Sequence, residues 1–253
     1  MFRLVALLML VGGLCPAASP VPSVRVVLPS DAGVISRRAA GILSRQISER
    51  CGAKVQLSGE AVWSVELGLE AGIGAEGYKI TDGPGGAVRI LGDDERGLLY
   101  GVGRLLRSSR YDEGGFTPGT WRGTSVPRFS MRGIYLATHF NNYYEAATPE
   151  ELEHYVEDLS LWGFNLLALA YPHWQYAGYD DPAARKMTEH LRRIMRVAKQ
   201  VGMRVTIGDA LNGGFNSPPK EMWCTPVPDP LGRHGNFGVN LCPSKPAARE
   251  LLL

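Results

Sequence analysis

Apolar residues along this chain recur in two rhythms, one of period two and one near 3.6, and the switches between them lay out its elements. Ser23 to Leu28 alternates as a strand. After Ser30-Asp31, a pair suited to capping, Ile35, Ala39, Ile42, Leu43 and Ile47 fall on one helical face that runs to Cys51-Gly52. Short strands are predicted at Lys54–Leu57, Ser64–Leu69 and Tyr78–Thr81, with a fourth at Ala87–Leu91 after the turn Asp82-Gly83-Pro84-Gly85-Gly86. Asp93-Asp94 then caps a second helix with Leu98, Leu99, Val102, Leu105 and Leu106 facing inward. Residues 111–130, with Asp112-Glu113-Gly114-Gly115, Thr117-Pro118-Gly119 and Val126-Pro127, read as a linker.

Beyond Arg132-Gly133 and a strand at Ile134–Ala137, a helix–Gly–strand unit occurs twice. The first begins with a capping box, Thr148 and Glu151 with Pro149 at the first helical position, and buries Leu152, Tyr155, Val156 and Leu159. It turns at Gly163 into Leu166–Ala170. The second opens near Pro182, buries Leu191, Ile194, Met195 and Ala198, and turns at Gly202 into Met203–Ile207. Strands alternating with helices form parallel sheets. The fold class expected is therefore α/β: a small N-terminal α+β layer domain over residues 20–125, then an incomplete (β/α)8 TIM barrel of about three βα units over 126–253. The third connection, about thirty-five residues rich in Gly, Pro and Asn, has the length of a functional loop. A helix opening near Pro246 has barely begun at Leu253.

Composition narrows the function. With 45% hydrophobic and 21% charged residues among 253, the chain is globular rather than disordered. A net charge of +2 and no Lys/Arg run leave no electrostatic case for nucleic acid or a membrane surface. Arg3, the apolar stretch Leu4–Leu14 and the small residues Ala17-Ala18-Ser19 predict a signal peptide over residues 1–19, hence a secreted or periplasmic protein. Leu14 before Cys15 argues against a lipid anchor, and no later segment is apolar for long enough to span a bilayer. Of Cys51, Cys224 and Cys242, the last two could bridge, while Cys51 is expected to pack as a small hydrophobe.

Active sites of (β/α) barrels lie where the strands end. Here those ends carry His139 and Asn141, then His173 and Trp174, then Asp209 and Asn212, with Asn216, Trp223, His234 and Asn236 further round. Aromatic faces for a pyranose ring, beside amides, imidazoles and a carboxylate for its hydroxyls, suit a sugar. No glycine-rich turn opens a helix as a nucleotide phosphate would need. His139 and His173 stand on different loops without a companion motif, so neither a metal nor another cofactor is expected. Each residue also has a plainer role open to it. Tyr171 and Trp174 could cap the barrel core, Asn141-Asn142 could form a turn, Asp209 could cap a helix or pair with a cation, and Asp180-Asp181 should cap the helix at Pro182.

A small α/β unit ending in Ile90-Leu91-Gly92-Asp93-Asp94-Glu95-Arg96-Gly97-Leu98-Leu99-Tyr100-Gly101 resembles the domain preceding the barrel in glycoside hydrolase family 20, the β-N-acetylhexosaminidases. The α-glucuronidases of family 67 carry a similar one. Pro127…Arg132-Gly133, Gly163-Phe164-Asn165-Leu166-Leu167, the strand ending in Asp209, and Leu241-Cys242-Pro243-Ser244 also resemble family 20. The resemblance implies an exported hydrolase of O-glycosyl bonds in hexosaminide-type oligosaccharides or polysaccharides. In such enzymes a carboxylic acid protonates the leaving oxygen and the substrate's acetamide acts as nucleophile. Asp209 would be a substrate-pocket or acid-orienting carboxylate, and the general acid would fall beyond residue 253, leaving this chain inactive alone. The family's Asp and Arg after the first strand are missing from Leu136-Ala137-Thr138-His139-Phe140, and Pro172-His173-Trp174-Gln175 keeps only the Gln of the family's second loop. An α-glucuronidase-like hydrolase and a non-catalytic carbohydrate-binding protein are the alternatives.

Overall fold

The structure is a computed structural model that describes residues 19–139, 142–208, 215–216, 220–224 and 241–252. Residues 1–18 of the expected leader lie outside them.

The first region contains, in chain order, β1 (Ser23–Val27), α1 (Val34–Cys51), β2 (Lys54–Gln56), β3 (Trp63–Leu69), β4 (Tyr78–Asp82), β5 (Val88–Gly92), α2 (Glu95–Ser108), β6 (Arg110–Asp112), β7 (Gly115–Thr117) and β8 (Gly123–Ser125). Six of its strands form one sheet in the order β2-β1-β3-β5-β4-β8. The first four are parallel, and β4 and β8 run antiparallel at one edge. Alternation gives the sheet two unlike faces. Val24, Val26, Val65, Leu67, Ile80, Val88 and Ile90 are buried, together with the inward residues of α1 and α2. Between them, Glu66 stands in register with Arg89 and pairs with it at 2.8 Å, and Lys79 pairs with Glu70 at 2.8 Å.

Two expectations need correction here. The stretch read as a linker supplies the β6–β7 hairpin and β8, which extends the sheet beside β4. Their three-residue length hid them, being too short to show a period; pairing partners make them strands. The cap expected from Ser30-Asp31 is also not used. α1 begins after Gly33, which makes no side-chain cap. The Glu95 carboxylate, from the first turn of α2, instead accepts from Ser36 N (3.1 Å) and Ser36 Oγ (2.8 Å).

The second region contains β9 (Gly133–Leu136), α3 (Tyr143–Ala146), α4 (Pro149–Leu161), β10 (Leu166–Ala170), α5 (Pro182–Gln200), β11 (Arg204–Gly208) and α6 (Pro246–Leu252). The three strands are parallel in the order β11-β10-β9, with Ile134, Leu167 and Val205 in one register row. Thr148 and Glu151 form the expected capping box, and Asp181 caps α5 by accepting from Ala183 N at 2.8 Å. Leu152, Val156, Leu159, Leu191, Ile194 and Ala198 are buried; Tyr155 and Met195 are half-buried. Gly163 (φ 95°) and Gly202 (φ 76°) adopt the left-handed conformation that ends each helix and aims the chain at its strand.

A polar hub joins the regions. Glu76, 8% exposed and itself at φ 57°, accepts from Asn165 Nδ2 (3.0 Å) and Arg132 Nη2, and pairs with Arg96 Nη1 (2.8 Å). Buried Glu157 on α4 accepts from Arg38 and Arg45 of α1. Apolar side chains from both regions belong to one core. Cys51 is buried and donates to Ile47 O at 3.1 Å; Cys224 and Cys242 are thiols without a disulfide. Among the described residues, no helix is long and apolar enough to cross a membrane.

Candidate functional site

Because β9 and β10 are parallel, with Leu136 beside Leu169, their loops emerge at the same end of the sheet. Thr138, fully buried, fastens those loops together: its hydroxyl donates to Ala170 O and accepts from Ala170 N at 3.2 Å. This extends the ladder by one side-chain rung, so the next residue, His139, is held beside the end of β10. Asn142 secures the other side of that residue. Its Nδ2 donates to Ala137 O (2.7 Å) and His139 O (3.0 Å), while its Oδ1 accepts from Tyr144 N (3.0 Å) and caps α3.

The outcome is an aromatic corner. The His139 imidazole meets Trp174 edge to face with centroids 5.7 Å apart, and His173 meets the same indole at 5.2 Å. Tyr135 Oη lies 3.3 Å from His139 Nδ1, and His173 packs on Phe215 at 6.3 Å. His139 and His173 are buried, whereas Trp174 keeps part of its surface in solvent. Burial holds the His139 imidazole below its ordinary pKa, against the opposing pull of Glu145, so the ring is neutral at pH 7. Burial also raises the Tyr135 phenol, and pushes Tyr176 up to about 12 with help from Tyr171, Glu145 and Asp181. The corner thus offers an indole face beside hydroxyl and imidazole groups that can hydrogen-bond.

Of the six residues singled out in the sequence, His139, His173 and Trp174 are brought together. Asn141, Asp209 and Asn212 lie outside the described residues, as do His234 and Asn236. Gly208, the last residue of β11, stands in register with Ala170, so the chain leaves β11 level with the end of β10. Tyr135 and Glu145 were missed. Tyr135 lies inside a strand, but its exposed face and its place four residues before His139 could have shown it. The Asn142-x-x-Glu145 spacing is a capping box, which would have placed Glu145 at this rim. Asp180 and Asp181 serve as predicted, since Asp181 caps α5 and Asp180 pairs with Arg185.

No protein-family model matches this sequence, and no curated protein matches it. Solved structures do. A family 20 exo β-N-acetylglucosaminidase from Vibrio harveyi, an inactive mutant, superposes with TM-score 0.66 over 90% of this chain and 40% of its own, at 14% identity. A mutant β-hexosaminidase of Streptomyces plicatus in complex with its product, N-acetylglucosamine, gives 0.62 over 92% of this chain and 53% of its own, at 20% identity. A family 138 enzyme targeting pectin rhamnogalacturonan II gives 0.51 over 72% and 30%, at 18% identity. At these identities the likeness is one of fold. The fold is that of part of a family 20 glycoside hydrolase, and the chain spans about half or less of the length of these structures.

Proposed function

We propose that this chain is the carbohydrate-binding portion of an exported glycoside hydrolase that cleaves O-glycosyl bonds of hexosaminide-type glycans. The observation that carries this reading is the corner at the strand ends, where two imidazoles pack edge to face against Trp174 and the Tyr135 hydroxyl meets His139. An indole edged by hydrogen-bonding side chains suits a pyranose, whose CH face packs on the ring while its hydroxyls find fixed partners. The family 20 fold of the surrounding residues supports the same substrate class. On this reading His139 and Tyr135 orient the sugar, Trp174 is its platform, and Asp209 contacts it from the third strand end. The acid that protonates the leaving oxygen comes from a further strand end, as glycoside hydrolysis requires a positioned carboxyl group. The 253 residues alone then bind sugar without turnover.

Tryptophan fluorescence tests the binding half. Titrating the chain with chitobiose should give a saturable change that Trp174→Phe abolishes, and no release of nitrophenol from aryl N-acetylhexosaminides or glucuronides. A flat titration of the wild-type chain, or an unchanged one in Trp174→Phe, would sink the assignment of the corner. Turnover by the chain itself would overturn the claim that the acid lies elsewhere.

A further inference from the structure

The seam between α1, α2 and α4 encloses a groove of about 400 Å³ that the strand-end site does not use. Its charges are unevenly matched. Glu49 is taken by Arg45 at 3.0 Å, Asp158 accepts from Gln46 at 2.9 Å, and Glu157 behind them is held by Arg38 and Arg45. Glu49 and Glu157 are therefore each paired with arginine, whereas Asp158 is held, among the described residues, only by the Gln46 amide. Arg50 and Arg107, which also line the groove, have no carboxylate partner among the described residues. Both are instead fixed on aromatic rings, Arg50 at 4.2 Å over Tyr111 and Arg107 at 4.3 Å over Trp162. Arg107 Nη1 also donates to Leu161 O at 2.5 Å, which orients its fork and leaves other N–H groups open. Trp162 is 68% exposed although it sits at the end of a packed helix, and His154 adds a further polar group to the wall.

Two pre-oriented guanidinium groups without a direct carboxylate partner suit an oxyanion held by paired hydrogen bonds. A large exposed indole beside them suits the apolar face of a pyranose. We infer that this groove is a second carbohydrate site, selective for a saccharide that carries a carboxylate or sulfate. The anion lies between Arg50 and Arg107, and the ring carrying it lies against Trp162. The groove is separate from the aromatic corner. Trp162 precedes the amino end of β10 and Trp174 follows its carboxyl end, so the length of a five-residue strand, about 17 Å at ~3.3 Å per residue, lies between them. A single sugar cannot touch both; a longer acidic glycan can be held at one while its end is presented to the other.

Isothermal titration of the full chain with a chondroitin sulfate tetrasaccharide, its desulfated and carboxyl-reduced counterpart, chitotetraose and inorganic sulfate tests this. The sulfated tetrasaccharide should bind, lose affinity as salt rises toward about 1 M where the screening length is about 3 Å, and bind at least tenfold more weakly to Arg50→Gln/Arg107→Gln, a loss of about 1.4 kcal/mol. Trp162→Ala should weaken the tetrasaccharide but not sulfate. Each titration is made in the Trp174→Phe background, where the strand-end site is silent, so failure of the groove is read apart from failure of that site. Equal binding of the neutral counterpart, tetrasaccharide affinity unaffected by the arginine changes, or binding of sulfate alone would each overturn the proposal. Arg50→Gln on its own, at an exposed position, keeps the test decisive if the double variant fails to fold.

Discussion

The two sheets of this protein solve the same problem differently. The six-stranded sheet covers one face with α1 and α2 and leaves the other to paired charges such as Glu66–Arg89, so alternation alone tells each residue where to go. The three-stranded sheet keeps apolar groups in contact with water: Tyr135 is 51% exposed and Ile207 47%. Its outer strands β9 and β11 pair on one side only among the described residues. The first sheet is a finished two-layer unit. The second draws support from its neighbour, through the Glu76 hub and the shared core, and it is the sheet whose ends carry the aromatic corner.

The sharpest way to break the contrast is to cut the hub. Glu76→Ala strips one carboxylate from Arg132, Arg96 and Asn165 at once. We expect a loss of about 3 kcal/mol, the low end for a broken buried pair, because the Arg96 side chain is 32% exposed and can turn to water. The loss should be unequal. In hydrogen exchange, the amides of β9 and β10 should lose protection while those of β1, β3 and β5 keep theirs. Uniform loss across both sheets would mean that the first region depends on the hub as much as the second.

Acid should do the same more gently. Burial raises the Glu76 carboxyl pKa, but hydrogen bonds from Arg132 and Asn165 and the charges of Arg96 and Arg132 outweigh it, so the folded value lies below the ordinary 4.5. Between those two values the unfolded chain binds the extra proton, so stability rises with pH across this interval. It is fully present above about 4.5 and is lost as pH falls through the folded value. Urea midpoints measured from neutrality to about pH 3 should therefore fall less steeply in Glu76→Gln than in the wild-type chain. A parallel fall in both proteins would place the acid sensitivity elsewhere. Tyr100, whose phenol is pushed up to about 12 chiefly by burial and then by Glu76, stays protonated throughout this range.

Hub and caps also mark the limit of what was legible in the sequence. Periodicity found the long elements in both regions, because the residues that define α2 or β10 are neighbours in the chain and their burial repeats at a fixed spacing. The parallel βα rule placed His139 and Trp174 at one rim without any contact being known. Glu76 gave no local signal: it sits in a Gly-rich turn, and its partners are 20, 56 and 89 residues away. The strands β6, β7 and β8 were hidden for the same reason, since three residues are too few to show a period and become a strand only when a partner is present, as Tyr78 is for Ser125. The rim residues Tyr135 and Glu145 carried local signals that a search for strand-end aromatics alone passes over.

Capping gives the smallest and most discriminating difference between the regions. In the second, α4 and α5 are capped by Thr148 and Asp181, residues adjacent to the helices they serve. In the first, α2 has its adjacent cap Asp94, but α1 is capped from 59 residues away by Glu95, and Gly33 makes room for it: a Cβ there would lie 2.0 Å from Glu95 Oε1. Glu95→Ala should cost about 1 kcal/mol, the usual worth of a helix cap. Gly33→Ser installs a preferred capping residue but displaces the carboxylate, exchanging one cap for another. Its own effect should stay within about 0.5 kcal/mol, and in its background the cost of Glu95→Ala should shrink toward zero, a coupling read directly from a double-mutant cycle of urea denaturation. If the two changes simply add, Glu95 stabilises the chain by some route other than the start of α1.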